Sequence, residues 1–316
     1  MRAGRQRLAV VLGMAALALV PPVSAAFAQP YYVDLFTRIV IFAIAALSLD
    51  LIMSYGGMLS FGHAAYLGVG TYCVGIASSY GINNEIVHLL LVVVASAIVA
   101  AGIGFVSLRT SGVHFIMITL AFSQMLYFLA ISVNSFGGAD GMTMTQHSQL
   151  GPIPFDDANV LYYFSFGFLA VFLWMQSRII RSRFGMVIRG ARTNPRRMAA
   201  LGFPVLRYQL AAFVLSGVMC GIAGALLAEQ ALFVSPSIMQ WSRSGEIMVM
   251  VIMGGMGTLF GPILGAVVYL VLEDVLTSWT QYWALFLGPI LVVIVLLGRQ
   301  GVMSLIPGLM PNPRHA

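Results

Sequence analysis

From about residue 34 onwards, apolar runs long enough to cross a bilayer follow one another with only short breaks. A crossing helix needs about 20 predominantly apolar residues, and in lipid every backbone N–H and C=O must be paired inside the structure, so such runs have to become helices. They read as 34–55, 62–80, 86–108, 112–133, 160–176, 208–228, a broken pair at 246–254 and 258–275, and 282–298. Hydrophobic residues make up 60% of the 316 and charged residues 8%, against roughly 25% charged in soluble proteins. The mean hydropathy is +0.94. The sequence therefore predicts an all-α polytopic membrane protein of about 8–10 transmembrane helices, with little left over for a separate soluble domain.

The charges orient these helices. Eight of the 16 arginines fall within residues 178–207 with no acidic residue among them, and Lys and Arg are retained on the cytoplasmic side of a membrane. Inside this loop, Asn194 suits a helix cap, Pro195 the first helical position, and Gly202 the left-handed residue that ends a helix. Residues 195–201 thus read as a short helix outside the bilayer. If 246–275 crossed as one helix, Arg299 and Arg314 would end outside. If Gly254, Gly255 and Gly257 let the chain dip in and return as a re-entrant hairpin, 14 of 16 arginines lie inside, and nine of ten acids, all but Asp50, lie at or beyond the outer surface. The hairpin is the expectation. Residues 1–28 read as a first transmembrane helix or a signal-like segment, because the small-x-small pattern at Ala26-Phe27-Ala28 suits a signal peptidase while the apolar stretch is long enough to span. Residues 29–300 form the main domain and 301–316 a cytoplasmic tail.

Several functions are excluded by residue type. The chain has no lysine, so it cannot form a phosphate-binding loop of the G-x-x-x-x-G-K-[ST] form or lysine Schiff-base chemistry. Any nucleotide energy has to come from a partner. The net charge of +6 comes from arginines clustered at span ends rather than on a groove-sized face, which argues against nucleic acid. Cys73 and Cys220 sit among small apolar residues as packing groups. No catalytic set and no metal-ligand set is read from the sequence.

The polar residues inside the spans carry the functional expectation, since an aspartate at a helix centre costs about 2.5–3.5 kcal/mol to insert. Asp50, Gln124 with Thr119 beside it, and Ser60 and His63 next to the Gly56-Gly57 break are candidates for a substrate pathway, with structural hydrogen bonding as the alternative for each. Gly254, Gly255 and Gly257 join them, because non-helical backbone is tolerated at membrane depth only where protein or a watery cavity satisfies it. The segment Gly56-Gly57-Met58-Leu59-Ser60-Phe61-Gly62 echoes Gly254-Gly255-Met256-Gly257-Thr258-Leu259-Phe260-Gly261 with one residue inserted, and transporters are often built from repeats whose broken helices meet. Gly257, Gly261 and Gly265 form one small-residue row suited to close helix packing, and Ser216, Cys220 and Gly224 another. The external loop at 134–159, rich in turn signals, reads as a solvated loop or a docking surface.

Tyr55-Gly56-Gly57-Met58-Leu59-Ser60-Phe61-Gly62-His63-Ala64-Ala65, Thr119-Leu120-Ala121-Phe122-Ser123-Gln124-Met125, Gly137-Gly138-Ala139-Asp140-Gly141, and the run from Ser182-Arg183-Phe184-Gly185 through Ala199-Ala200-Leu201-Gly202 to Gly224-Ala225-Leu226 resemble, in order and spacing, the permease subunits of branched-chain amino acid ABC importers, over about residues 36–300. The resemblance implies a multi-pass protein of the bacterial inner membrane that moves substrate inward. It also implies a second related permease subunit, two ABC ATPase subunits that use ATP and Mg, and a periplasmic substrate-binding protein, while the chain itself binds no cofactor and catalyses no reaction. Asn194, Pro195, Arg196, Arg197, Met198, Ala199, Ala200, Leu201 and Gly202 would be the coupling segment seated in an ATPase cleft, with Met198 and Leu201 on one face. Met198-Ala199-Ala200 stands where many importers have Glu-Ala-Ala. Relatives that carry urea, short amides or aromatic acids leave the substrate open. A secondary transporter or channel for a small polar solute is the alternative, and an intramembrane enzyme the third, though Asp50 is the one clear intramembrane ionisable candidate and no reactive pair stands out.

Overall fold

The computed structural model describes residues 13–26, 31–144, 146–150, 153–155 and 157–297. The expected tail at 301–316, the arginines at 2, 5, 7, 299 and 314, Phe27 and Ala28 of the cleavage pattern, Gly151, Pro152 and Asp156 lie outside the described residues. The helices are α1 (Val20–Ala26), α2 (Tyr31–Asp50) continued by a π turn (Leu51–Tyr55), α3 (His63–Ser79), α4 (Glu85–Ser107), α5 (Val113–Ser132), α6 (Ala158–Arg181), α7 (Arg183–Thr193), α8 (Pro195–Ala200), α9 (Val205–Ala231), α10 (Trp241–Gly254), α11 (Gly261–Trp279) and α12 (Trp283–Leu297). Six of these, counting α2 with its π turn, are long and apolar enough to cross a membrane. Their starts follow local chemistry. Asn84, Asp157, Ser182 and Asn194 each accept a backbone N–H from the first turn that follows, at α4, α6, α7 and α8, which satisfies a donor the helix leaves free.

The bundle is built around α2 and α9, which are buried over 83% and 67% of their apolar windows, against 28% and 17% for α4 and α5. Small residues bring α9 onto its neighbours. A Cβ at Gly70 would strike the Gly221 carbonyl, one at Gly224 the Leu67 carbonyl, and one at Gly221 the Ser96 side chain. Backbone-to-backbone contact of this kind replaces the hydrophobic drive that lipid does not supply. In the same row, Cys220 donates to the His63 carbonyl at 3.3 Å and Ser216 to the Ser48 carbonyl. Leu17 and Ala18 lie against α6, where the Tyr162 hydroxyl donates to the Leu17 carbonyl, while α1 packs on α2.

Helices α10 and α11 form the expected hairpin. The 14 residues of α10 extend about 21 Å at 1.5 Å per residue, short of a bilayer core of about 30 Å. The two helices run antiparallel, with Gly254 against Gly261 and Gly265, and Gly265 against the Met250 carbonyl. The free end of α11 lies with the start of α2, since Glu273 pairs with Arg38 at 3.3 Å and Asp274 accepts from the Tyr31 hydroxyl. A single crossing over 246–275 does not occur. Gly257 departs from the expected small-residue row: it stands in the turn, at φ +74°, with its α-carbon facing Ser54. The close-packing set is Gly254, Gly261 and Gly265.

At the end of the bundle where α2 begins, described residues of the 134–159 segment pair with one another and with the rest of the chain. Strand β1 (Met142–Thr143) pairs with β4 (Phe233–Val234) just after α9, and β2 (Gln149–Leu150) pairs with β3 (Ile153–Pro154). Gln149 also bridges to Asn84, and the Gln146 side chain accepts from Asn83 at 3.1 Å. The segment is thereby pinned to the α3–α4 turn.

Gly265→Ala is expected to lower the thermal midpoint of the detergent-solubilised protein by an amount corresponding to about 1–3 kcal/mol of overpacking. Gly167→Ala, where no atom lies within 4 Å of the added Cβ, should leave it unchanged or raise it.

Candidate functional site

The two glycine-rich breaks meet in space. At the first, α2 loosens into the π turn and leaves the helix through Gly56 and Gly57, the latter at φ +68°. At the second, the chain turns between α10 and α11 through Gly255 and Gly257, at φ +112° and +74°. Glycine takes positive φ without the penalty of a Cβ. The Tyr55 hydroxyl donates to the Gly257 carbonyl at 3.0 Å, and the Gly257 N–H donates to Asp50 Oδ1 at 3.2 Å. The echo between the two segments thus corresponds to a physical contact.

Asp50 is the centre of this junction. It is wholly buried, Oδ1 also accepts from the Ser54 hydroxyl, and Oδ2 accepts from Gln176 Nε2 at 3.1 Å. Three elements are therefore tied to one carboxylate: the π turn, the α10–α11 turn and α6. A buried carboxylate is costly unless hydrogen-bonded, and here each oxygen has a partner. Asp50 is placed as the fastening of the two breaks.

Side chains satisfy several further backbone groups of the first break. Phe61 N–H donates to Thr119 Oγ1 at 3.3 Å, Gly62 N–H to Ser60 Oγ at 3.2 Å, and Ala64 N–H to Ser244 Oγ at 2.9 Å. His63 is buried, with Nε2 2.8 Å from Ser216 Oγ. Ser216 gives its only proton to the Ser48 carbonyl, so Nε2 carries the hydrogen and donates. Nδ1 is left with its lone pair and no partner. Gln124 Nε2 is likewise buried without a partner, while the adjacent Ser123 hydroxyl donates to the Met239 carbonyl at 3.0 Å. Of the expected pathway residues, Asp50, Gly56, Gly57, Ser60, His63, Thr119, Gly254, Gly255 and Gly257 line the two breaks or touch a residue that does. Gln124 stands a turn further along α5.

Helix α7 packs under the first break, and α8 packs on α7 and α9. Asn194 Oδ1 accepts from Arg197 N–H at 3.0 Å, Pro195 opens α8, and Gly202 ends it at φ +87°. Arg196, Arg197 and Leu201 are exposed. Met198 is placed differently from the expectation that it shares an outward face with Leu201. Its side chain lies over Gly190 of α7, because a glycine there leaves a seat for it, so Met198 staples α8 to α7 and Leu201 alone points out. The sequence reading also missed Arg192. Its guanidinium donates to the Ser54 carbonyl and its methylenes cover Gly57. A basic residue two positions before the cap Asn194 was the available signal.

A second buried polar cluster lies at the opposite end of the bundle, where Glu85, His88 and Glu229 face one another. The reading of the sequence named no metal-ligand set. The Glu85–His88 spacing of three on a helix was a usable signal, while Glu229 is brought there only by the α4–α9 packing.

The family described as the branched-chain amino acid transport system permease component matches residues 31–296, a stretch that includes both breaks and α7–α8. Among individual proteins, the chain is 25% identical over 297 residues to the high-affinity branched-chain amino acid transport system permease protein LivM of Salmonella typhimurium, covering 86% of this chain and 70% of that one. The same protein of Escherichia coli strain K12 matches to the same extent. No solved structure matches. Taken with the multi-pass helical bundle and its paired breaks, the match over residues 31–296 means that this chain belongs to the branched-chain amino acid transport system permease family.

Proposed function

We propose that this inner-membrane permease is one half of the pore of an ATP-driven ABC importer, paired with a second related permease subunit. A periplasmic binding protein delivers a branched-chain amino acid to the outer end, where the 134–159 segment forms an ordered platform. Two ATPase subunits on the cytoplasmic side bind ATP and Mg, and the permease itself catalyses nothing. The substrate assignment follows the transport function for which the similar proteins are named.

The observation that carries this reading is the physical link between the arginine-rich helices and the breaks. An ATPase that seats exposed Leu201 and binds Arg196 and Arg197 through its carboxylates would grip α8, which Met198 fastens to α7. Arg192 on α7 is bonded to the Ser54 carbonyl within the π turn, and Ser54 is bonded to Asp50. A displacement of α8 is therefore delivered to the place where both broken helices are held. A charged hydrogen bond to a carbonyl is worth about 1.5–3 kcal/mol. A π turn already departs from regular helical pairing and can shift its ladder without first breaking an ideal one.

Two measurements test this. Arg192→Ala, reconstituted with its partners, should keep assembly and ATP hydrolysis but lose about 10- to 100-fold in substrate moved per ATP, since about 1.4 kcal/mol corresponds to tenfold. Unchanged stoichiometry would remove Arg192 from the coupling route.

Reversing Arg196 and Arg197 to Glu, or Leu201→Asp, should release the ATPases while membrane insertion stays normal, because breaking a desolvated interfacial charge pair costs about 2–5 kcal/mol. Normal ATPase co-purification and wild-type uptake would reduce α8 to a topological anchor.

A further inference from the structure

The buried cluster at the outer end of α4 and α9 contains more acceptors than donors. Glu85 Oε2 and Glu229 Oε1 each lie 3.7 Å from His88 Nδ1, and the side chains of Glu85, His88 and Glu229 are fully buried. The other ring nitrogen of His88, Nε2, donates to the Ile82 carbonyl at 2.6 Å. That bond fixes the tautomer of a neutral ring and points the Nδ1 lone pair at two carboxylates. Ser148, also buried, stands among them: its Oγ is 2.9 Å from His88 Nδ1, its hydroxyl donates to Glu229 Oε1, and its N–H donates to Glu229 Oε2 at 3.0 Å. His147 Nδ1, 3.9 Å from Glu229 Oε2, has no hydrogen-bond partner among the described residues.

A proton on His88 Nδ1 would complete one chain of bonds, from His88 through Ser148 to Glu229. It would leave Glu85 either as a buried carboxylate with no compensating charge or as a protonated acid, in both cases with neither oxygen hydrogen-bonded among the described residues. An isolated buried carboxylate is among the most costly groups a protein can hold. A divalent cation resolves both difficulties, because two carboxylates and a neutral imidazole around a charge of two sum to zero.

We propose that Glu85, His88 and Glu229 form a binding site for a divalent transition-metal ion, zinc by preference, on the outer side of the membrane. A histidine nitrogen with carboxylate oxygens suits zinc, whereas calcium and magnesium take oxygen ligands. Ligand atoms around tetrahedral zinc stand about 3.4 Å apart, so the 3.7 Å N···O separations contract slightly on binding, and the whole set, within 4.8 Å, draws in around the ion. The Ile82 carbonyl on the far side of the ring is the usual orienting partner of a metal-bound histidine. His147, or the Ser148 hydroxyl, is placed to supply a fourth ligand. The ion would clamp the 146–150 segment to α4 and α9 and so stiffen the outer platform, independently of whether the importer reading holds.

The test uses the full chain purified in detergent, with metal content measured, then stripped with a chelator and titrated with zinc or with cobalt as a spectroscopic substitute. The expected results are about one tightly held ion per chain, a thermal midpoint that falls on chelation and returns with zinc, and the visible absorption of tetrahedral cobalt in the wild type. Glu85→Gln and His88→Ala should lose the cobalt bands and the response to zinc. A wild-type protein that takes up neither metal, or a Glu85→Gln variant that keeps its cobalt bands, overturns the proposal. In the first case a protonated His88 holds the cluster together, and Glu85→Gln should then leave the midpoint unchanged or raise it.

Discussion

A carboxylate buried in the interior of a membrane bundle has to be answered by donors from whatever surrounds it, and Asp50 is answered from three directions. That requirement is what brings the π turn of α2, the α10–α11 turn and α6 to one point. Each donor depends on an element that could otherwise slide. Gly257 N–H is free to donate because its turn is not helical, and Ser54 lies within reach because the π turn follows Asp50 directly. Removing the carboxylate would leave three donors competing for no acceptor, in a place where water cannot replace it at low cost.

The two ends of the chain's charge pattern are handled differently. On the arginine-rich side, charges stay exposed on α7 and α8, and one of them, Arg192, also reaches back onto a break. On the acidic side, several charges are taken inward: Glu273 against Arg38, and Glu85 and Glu229 against His88. The outer surface is thereby knitted into a platform by side chains that a positive-inside count registers only as topology. The inner surface keeps its charges available to a partner.

Much of this was legible in the sequence because bilayer physics is severe. A run of apolar residues has to be a helix in lipid, and clustered glycines inside such a run have to be a break, so the spans, the re-entrant hairpin and the cap, proline and glycine of the 195–202 segment could be read directly. What escaped depended on packing between distant elements. Met198 and Leu201 are correctly spaced for one face, but spacing does not show which side of so short a helix meets the rest of the chain, and the seat at Gly190 decided it. Gln176 looked like the polar end of a span and is instead Asp50's partner. Gly257 continued a four-residue glycine register in the sequence, yet positive φ took it out of the helix. Glu229 gave no signal of its own, since only α9's fit against α4 carries it to His88.

The central claim is that the two helix breaks are held against each other at Asp50. A Cβ built on Gly257 lies 3.9 Å from the Ser54 Cβ, close to the mean of about 3.8 Å across a disulfide. Cysteines placed at Ser54 and Gly257, in a chain whose Cys73 and Cys220 have been replaced by alanine, should therefore form an intramolecular disulfide on mild oxidation of the assembled protein in its membrane. The bond should form in most molecules despite the strain a Cβ meets at the φ of +74° there, and reduction should reverse it. Failure of that pair to cross-link, while an expressed and correctly inserted protein carries both thiols in reactive form, would contradict the account.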